Sequence, residues 1–202
     1  MPTLLVPDAA SLDRMVADRR RLGLDAKDEV WDGDYVVMPD PGNEHQLLVG
    51  DIRDALNQVV KPLGGRVFPG CNVSDRDDWR TNYRNPDVAA FLRGNPAEDR
   101  GSHWRGGPDL AIEVVSPGDR SRDKRDFYAS VGTRELLLID RSPWSLELLR
   151  LDRGRLVSAG VAGVGDDSLL AESVGVSWSL ATPNGPGRPG VVMTAGDRVW
   201  TA

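Results

Sequence analysis

The sequence is poor in the residues from which covalent cross-links and zinc sites are built. Its 202 residues include one cysteine, Cys71, and two histidines. A single cysteine excludes an intramolecular disulfide, and Cys71 has no Cys or His partners at the spacing of a zinc site. This cysteine usage fits a reducing compartment, so we expect a cytoplasmic protein.

Long apolar runs and an excess of positive charge are also missing. No run approaches the roughly 18 apolar residues of a membrane span, and residues 1–7 lack the positive start of a signal peptide. We therefore expect no membrane partner. Lysine and arginine total 25 against 31 acids, which gives a net charge of −6. A nucleic-acid partner would need a local basic face or a metal ion to offset this charge.

The first half of the chain predicts two helices and a hairpin. Asp8 is expected to cap a helix that Gly23 ends, and Asp32-Gly33 predicts a hairpin between two apolar runs. A longer helix is expected from a cap at Asn43 to about Val60. The apolar face of this helix would consist of Leu47, Leu48, Ile52, Leu56, Val59 and Val60.

The second half of the chain is rich in strands. We expect strands at 67–68, 73, 86–92, 109–115, 135–140, 145–151, 156–157, 168–170 and 174–180, with an exposed insertion at 94–107. A helix capped by Asp119 or Ser121 and ended by Gly132 separates two apolar strands, which predicts a parallel pair. We place one domain at 1–182 and a Pro/Gly-rich extension at 183–202, in which residues 191–200 form either a hairpin or an arm.

Two acids stand at strands and are candidates for a metal site. Glu113 lies between Ile112 and Val114 in an apolar strand, where a charge is costly unless it is paired or bound to metal. Asp87 follows Pro86 at the start of another strand. Carboxylate oxygens on adjacent strands suit Mg²⁺ or Mn²⁺. The alternatives are that Asp87 only ends a loop and that Glu113 pairs with an arginine.

The helix after Glu113 adds a basic residue to this pair. Lys124 lies three and four residues before Phe127 and Tyr128, so it shares their side of the helix. An inward lysine can neutralise the acids or stabilise charge that develops at a phosphate. A solvated lysine is the alternative.

Basic and aromatic residues around these positions suggest a nucleic-acid surface. Arg120, Arg122 and Arg125 surround Lys124, and Arg80 and Arg84 precede Asp87. These arginines can contact phosphates, and Trp79 and Tyr83 can stack on bases. A solvated basic face and ordinary aromatic packing are the alternatives.

Five separated motifs resemble a bacterial family of unknown function. In order, they are Glu29-Val-Trp-Asp-Gly33, His45, Asn85-Pro-Asp87, Pro108-Asp-Leu-Ala-Ile-Glu-Val-Val-Ser-Pro117, and Asp123-Lys124 with Tyr128 and Gly132. The chain from about Glu29 to Arg155 is similar to the restriction-endonuclease-like family of the PD-(D/E)XK nuclease superfamily. The resemblance implies an α/β fold with a restriction-endonuclease-like core, a mixed β-sheet flanked by α-helices, and extra β-hairpins.

The resemblance also implies the roles of five side chains and one backbone group. Asp87 and Glu113 would bind Mg²⁺ or Mn²⁺ together with the backbone carbonyl of Val114. The superfamily's lysine stands two residues after the second acid, where this chain has Val115, so Lys124 would be its counterpart. Glu29 would be an additional acid that binds a second metal or orders water, with a surface acid as its alternative. His45 would contact phosphate or act as an acid or base, with a structural role as its alternative.

These expectations add up to a metal-dependent endonuclease that hydrolyses the phosphodiester bonds of DNA. A homodimer is a further expectation, because related folds cut two strands by pairing. Two other functions remain open: an inactive nuclease-fold module that binds DNA or a protein, and a hydrolase of small phosphoesters. The displaced lysine and the acidic net charge keep the inactive module open.

Overall fold

The computed structural model describes residues 8–116, 120–183 and 187–202. Within these ranges no helix is both long and apolar enough to cross a membrane. The alternative cap at Asp119 lies outside the described residues, as does part of the predicted extension.

The N-terminal helix and the first hairpin are confirmed. Helix α1 spans Ala9–Leu22, Asp8 Oδ1 accepts a hydrogen bond from Ser11 N at 2.8 Å, and Gly23 ends the helix with a φ of 69°. Strands β1 (Glu29–Trp31) and β2 (Asp34–Val36) pair antiparallel. Asp32 and Gly33 both have positive φ, which matches the twist of a two-residue hairpin turn.

Helix α2 spans Asn43–Val60, as predicted in length but not in its cap or in all of its face. The N-cap is Gly42, and Asn43 is the first helical residue, so the prediction that Asn43 caps the helix was wrong. Leu47 is 60% exposed and does not belong to the buried face. Leu48, Ile52, Leu56 and Val60 are buried as predicted, at the spacing of one helix side.

The central sheet has six strands in the order β12-β11-β10-β9-β6-β3. In chain order they are β3 (Arg66–Phe68), β6 (Val88–Phe91), β9 (Leu110–Val115), β10 (Glu135–Arg141), β11 (Trp144–Asp152) and β12 (Arg155–Ala162). Strands β9 and β10 are parallel, which confirms the predicted crossover. The other pairs in this sheet are antiparallel, so the sheet is mixed.

The crossover between β9 and β10 is shorter and less regular than predicted. A 3₁₀ turn at Ser121–Lys124 leads into helix α3 at Arg125–Ser130. Gly132 follows with a φ of 81°, a backbone conformation that favours glycine. Six helical residues still place the aromatic side of α3 against the sheet, because Phe127 and Tyr128 are buried.

Two smaller sheets complete the fold. One has the order β2-β1-β5-β4-β8-β7, with β4 at Val73–Ser74, β5 at Tyr83–Arg84, β7 at Glu98–Asp99 and β8 at Trp104–Arg105. The insertion at 94–107 is mostly exposed, as expected, but two short strands form in it and His103 is buried. A 3₁₀ turn at Trp79–Thr81 lies between β4 and β5.

The third sheet holds the C-terminal strands. Its order is β13-β14-β15-β16, formed by Leu169–Ala171, Val176–Ala181, Gly190–Ala195 and Arg198–Thr201. Of the two alternatives for residues 191–200, the hairpin is the one observed. Val191 and Met193 pack in the same apolar cluster as α2 and the central sheet.

The central sheet separates two apolar clusters, and this separation positions the candidate site. Ile112 and Val114 of β9 face α2 and the third sheet. Ala111 and Val115 face the other side, where Phe127 and Tyr128 of α3 pack. Because side chains alternate along a strand, Glu113 points to the α3 side with Ala111 and Val115.

Candidate active site

Asp87 and Glu113 stand opposite each other on neighbouring strands. Val88 pairs with Ile112 in the antiparallel ladder of β6 and β9, and one further step of this register brings Asp87 opposite Glu113. Both side chains therefore face the same side of the sheet. The structure brings together the two acids that the sequence analysis selected.

Glu113 is enclosed by hydrogen-bond donors from the crossover. Its side chain is 3% exposed, Lys124 Nζ lies 3.0 Å from each of its carboxylate oxygens, and Tyr128 OH donates to Oε1 at 2.6 Å. Lys124 is buried as well, so the alternative of a solvated lysine does not hold. The lysine thus reaches the second acid from the following helix rather than from the strand.

Glu29 lies behind Lys124 and holds it from the other side. Its Oε1 is 2.8 Å from Lys124 Nζ and accepts a hydrogen bond from Asn85 N, also at 2.8 Å. Its Oε2 accepts a hydrogen bond from Trp31 Nε1 at 2.6 Å. Glu29 is fully buried, so the surface-acid alternative was wrong. Its contacts fix the lysine and tie the first hairpin to the segment that precedes Asp87.

Asp87 is oriented by two donors of a different kind. His45 Nε2, in the first turn of α2, is 3.0 Å from Asp87 Oδ1. The backbone N–H of Val114 donates to Asp87 Oδ2 at 2.8 Å. The described contact of Val114 is thus through its N–H, while the predicted role of its carbonyl stays a prediction.

The electrostatics of the cluster reflect crowded acids in a buried place. Burial raises the pKa of Glu113, Lys124 opposes this, and the neighbouring Asp87 and Glu29 raise the pKa further, so it stays above the ordinary value. Burial would lower the pKa of Lys124, but the charges of Glu113 and Glu29 outweigh it and raise that pKa. Burial raises the pKa of Asp87, yet the bond to His45 and the Val114 N–H bring it below its usual value.

A cavity of about 600 Å³ opens onto this cluster. Asp87, Glu113 and Lys124 line it together with His45 of α2. The remaining described lining residues come from the 38–42 loop, the outer face of α2 and the segments around Lys27, Pro69, Asn85 and Ser116. A ligand that enters the cavity can therefore meet both acids and the lysine. Glu29 is not among the lining residues.

The donor set fits a hard divalent cation. Each carboxylate oxygen can accept more than one interaction, so the bonds from Lys124 and His45 do not exhaust Glu113 and Asp87. Three carboxylates, those of Asp87, Glu113 and Glu29, face two cations, Lys124 and Arg84, whose charge interacts with Glu29. When Glu113 is ionised, these groups carry one more negative than positive charge, apart from His45, and a bound cation would compensate it. Within the described ranges, no group of three or more His, Cys, Asp or Glu side chains forms a ligand shell by itself, so backbone groups or water would complete the shell.

The predicted basic surface is largely neutralised. Arg120 pairs with Asp123, Arg122 with Asp140, and Arg125 with Glu147, at 2.8, 3.0 and 2.7 Å. Arg84 is buried and donates to Val30 O at 2.8 Å, so it is not available to phosphate. Trp79 packs on Tyr83 and on His103, as the packing alternative expected.

Sequence reasoning missed several partners of the candidate residues. The hydrogen bond from Tyr128 had a signal, since Tyr128 stands four residues after Lys124 on one helix side. The Trp31 and Asn85 donors to Glu29 had none, because they depend on how the first hairpin docks on the sheet.

Comparisons with known proteins identify the family and the fold. The profile of the Uma2 family, described as "putative restriction endonuclease", matches residues 17–183. No curated protein matches the sequence. Among solved structures, a similar one is described as a "putative nuclease belonging to DUF820" from Anabaena variabilis ATCC 29413. It is 21% identical, with a TM-score of 0.57, over 70% of this chain and 79% of that chain. This likeness bears on the fold, which is of the restriction-endonuclease-like α/β class.

Proposed function

The chain belongs to the Uma2 family of restriction-endonuclease-like proteins, and from this premise we propose that it is an endonuclease that hydrolyses phosphodiester bonds of DNA with Mg²⁺ or Mn²⁺. One observation carries the proposal. Two carboxylates on neighbouring strands and a buried lysine line one cavity together. Metal-assisted phosphoryl chemistry needs negative ligands for the ion and a fixed positive charge beside the phosphate.

The position of each residue indicates its role. Asp87 and Glu113 would hold the divalent ion, which as a Lewis acid offsets phosphate charge and makes water a better nucleophile. Lys124 would stabilise the charge that develops on the phosphate oxygens. It is well placed to do so because Glu29 and Glu113 fix its amine in the charged form.

Glu29 and His45 would act as positioning residues. Glu29 is buried behind Lys124 and its oxygens are taken by three donors, which favours orientation of the lysine over direct metal binding. His45 holds one oxygen of Asp87 and lines the cavity, so it can also exchange a proton with a bound group.

A second function, a binding module without catalysis, is favoured by one observation. Lys124 lies 3.0 Å from both oxygens of Glu113, so a cation at Glu113 must share that carboxylate with the lysine. Calorimetry with Mn²⁺ separates the two functions. No heat of binding at millimolar Mn²⁺, together with retained DNA binding, would favour the module.

Cleavage of circular DNA tests the endonuclease directly, because circles score only internal cuts. Supercoiled plasmid and single-stranded circular DNA would be incubated with the protein and Mg²⁺ or Mn²⁺, then resolved on gels. We expect nicked or linear products with the wild type and none in EDTA. Glu113→Gln and Asp87→Asn should lose cleavage, while Lys124→Met should lose most of it.

The matched control is Glu98→Gln, which removes an exposed acid of β7. Circular dichroism and thermal melting would show that each variant is folded. Equal cleavage by the Glu113 variant and the wild type would reject the assignment, since a contaminating nuclease gives that pattern.

A further inference from the structure

Two basic residues on the cavity wall, Lys27 and Arg53, keep donor groups that no described ion pair occupies. Lys27 lines the cavity and has no salt-bridge partner among residues 8–116, 120–183 and 187–202. Arg53 lines it from α2, where its one described ion pair is with the exposed neighbour Asp54, and its Nε has no hydrogen-bond partner. Asp40 is the one carboxylate on the described wall apart from the site acids. These cations are therefore available to an anionic ligand.

The Lys27 amine lies over Gly70, on the side of the Asn85 side chain. Gly70 has a φ of 77°, a backbone conformation that favours glycine. Asn85 precedes Pro86 and Asp87, and its buried Oδ1 has no hydrogen-bond partner. Lys27 is thus close to the candidate acids, although it is distant from Arg53 in sequence.

The α2 side of the cavity has a glycine at its centre. His45, Val49, Gly50 and Arg53 line the cavity at the spacing of one helix side. Glycine inside a helix costs roughly 0.5–1 kcal/mol relative to alanine. A Cβ at Gly50 would meet no atom within 4 Å, so packing does not require this glycine. Its effect is to leave one position of this wall, beside Val49, without a side chain.

This wall has the length of a short stretch of nucleic acid. His45 and Arg53 are eight residues apart, which is about 12 Å along the helix. Stacked nucleotides rise about 3.4 Å each along one strand, so three to four of them match this length. A cavity of about 600 Å³ lies in the size range of sites for single small ligands, roughly 300–1,000 Å³, so it can enclose part of one strand but not a duplex.

We propose that the cavity binds one unpaired DNA strand along α2, with Lys27 and Arg53 on its phosphates and Gly50 as the flat surface under it. The proposal rests on the proposed function, in which the phosphate to be cut lies at Asp87 and Glu113. It assigns single-stranded DNA, or a locally unpaired segment, as the preferred substrate class.

Fluorescence anisotropy with a short labelled oligonucleotide, single-stranded or annealed into a blunt duplex, tests the proposal. The measurement is made in EDTA, so binding is read without metal-dependent cleavage. We expect the wild type to bind the single strand at least about tenfold more tightly, equivalent to about 1.4 kcal/mol. Lys27→Ala with Arg53→Ala should weaken single-strand binding and lower its salt slope by about 0.7 per lost phosphate contact.

Two substitutions of Gly50 test whether blocking the cavity weakens binding when no charge is removed. Gly50→Ala should raise the melting temperature, because alanine favours the helix. Gly50→Leu should weaken single-strand binding at least about tenfold without changing the salt slope. The matched control is Lys61→Ala, which removes an exposed lysine beyond the far end of α2.

The outcomes distinguish this inference from the endonuclease itself. Equal binding of single strand and duplex would overturn the inference, as would a Lys27/Arg53 variant that behaves like Lys61→Ala or a Gly50→Leu variant that binds like the wild type. If the wild type cleaves circular DNA in such a case, the proposed function stands without the inference. If binding follows the prediction but no DNA is cut, the inference stands and the endonuclease fails.

Discussion

Two glutamates in neighbouring parallel strands are equally buried and differ in almost everything else. Glu113 in β9 and Glu135 at the start of β10 are each 2% exposed. Glu135 accepts hydrogen bonds from Arg150 Nε and from the backbone N–H groups of Glu172 and Ser173, at 3.0, 3.1 and 2.8 Å. These donors belong to β11 and to the turn before β14. Glu135 therefore fastens the third sheet to the central one.

Glu113 has a different surrounding. Its donors are a buried lysine and a buried tyrosine, two further acids lie near it, and it lines a cavity. Burial raises its pKa, and repulsion from Asp87 and Glu29 raises that pKa further, which a purely structural glutamate has no reason to tolerate. The comparison teaches that burial of an acid does not by itself indicate a functional site. Several acids close together at a cavity do indicate one.

The largest expected difference concerns the cations that pair with these two acids. Lys124→Met leaves Glu113 and Glu29 without their shared positive charge in a buried place, so we expect the free energy of unfolding to fall by about 3–5 kcal/mol. Arg150→Met removes a cation that is 37% exposed, and water screens that loss to about 1 kcal/mol or less. Urea unfolding of both variants at neutral pH measures the difference.

Adding Mn²⁺ to both variants provides an internal control. Mn²⁺ should restore part of the stability of Lys124→Met, because an ion bound to the folded state replaces the missing charge. It should not restore Arg150→Met. Losses of similar size in the two variants would remove the distinction between the clusters.

The next difference is in activity. Glu113→Gln should lower the rate of DNA cleavage by at least about 100-fold, with a change in stability of about 1 kcal/mol or less, because the lost hydrogen bonds are offset by relief of the crowded charge. Glu135→Gln should lose about 1–3 kcal/mol of stability and keep its rate at a temperature where it is folded. Cleavage assays and melting curves on the same preparations give both quantities.

A Glu135 variant that is stable but inactive would contradict this separation. It would mean that the third sheet takes part in catalysis, which no contact between Glu135 and the cavity supports. The result to compare is the rate per folded molecule, with circular dichroism as the measure of the folded fraction.

The acids and the central strands could be predicted from local sequence, because local patterns determine them. A charged residue inside Leu110-Ala-Ile-Glu-Val-Val115 is unusual enough to identify Glu113, and the spacing of Lys124 from Phe127 and Tyr128 places it on the same side. The parallel pairing of β9 and β10 follows from a short crossover with a fixed hand.

The positions that could not be predicted depend on contacts between distant segments. Glu29 meets Lys124 only because the first hairpin docks through β1 and β5, and the pairing of Val30 with Tyr83 is not visible in either segment alone. Arg84 looked available to phosphate but is buried against Val30 O and the Trp31 ring. Similarly, α2 starts after Gly42 rather than Asn43, because backbone conformation and not side-chain preference decides this cap.

A third expected difference is in the pH dependence of stability, and it isolates the raised pKa of Glu113. Because its pKa in the folded protein is above the ordinary value of 4.5, the folded state holds this proton more tightly than the unfolded state does. The contribution of Glu113 to the free energy of unfolding is fully present below pH 4.5. It is lost as the pH rises through the folded pKa, by at most about 1.4 kcal/mol per pH unit. Asp87 has a lowered pKa, so its contribution is lost only as the pH falls toward and below its ordinary value of 3.8.

Subtracting the free energy of unfolding of Glu113→Gln from that of the wild type at each pH isolates the contribution of the Glu113 carboxyl group. In metal-free buffer the difference should decline with rising pH above about 4.5. Mn²⁺ should reverse its sign, since the ion binds only after the proton has left and so binds more tightly at higher pH. A flat difference in both buffers would mean that Lys124 alone neutralises Glu113. Glu113 would then resemble Glu135, a buried acid with a structural task.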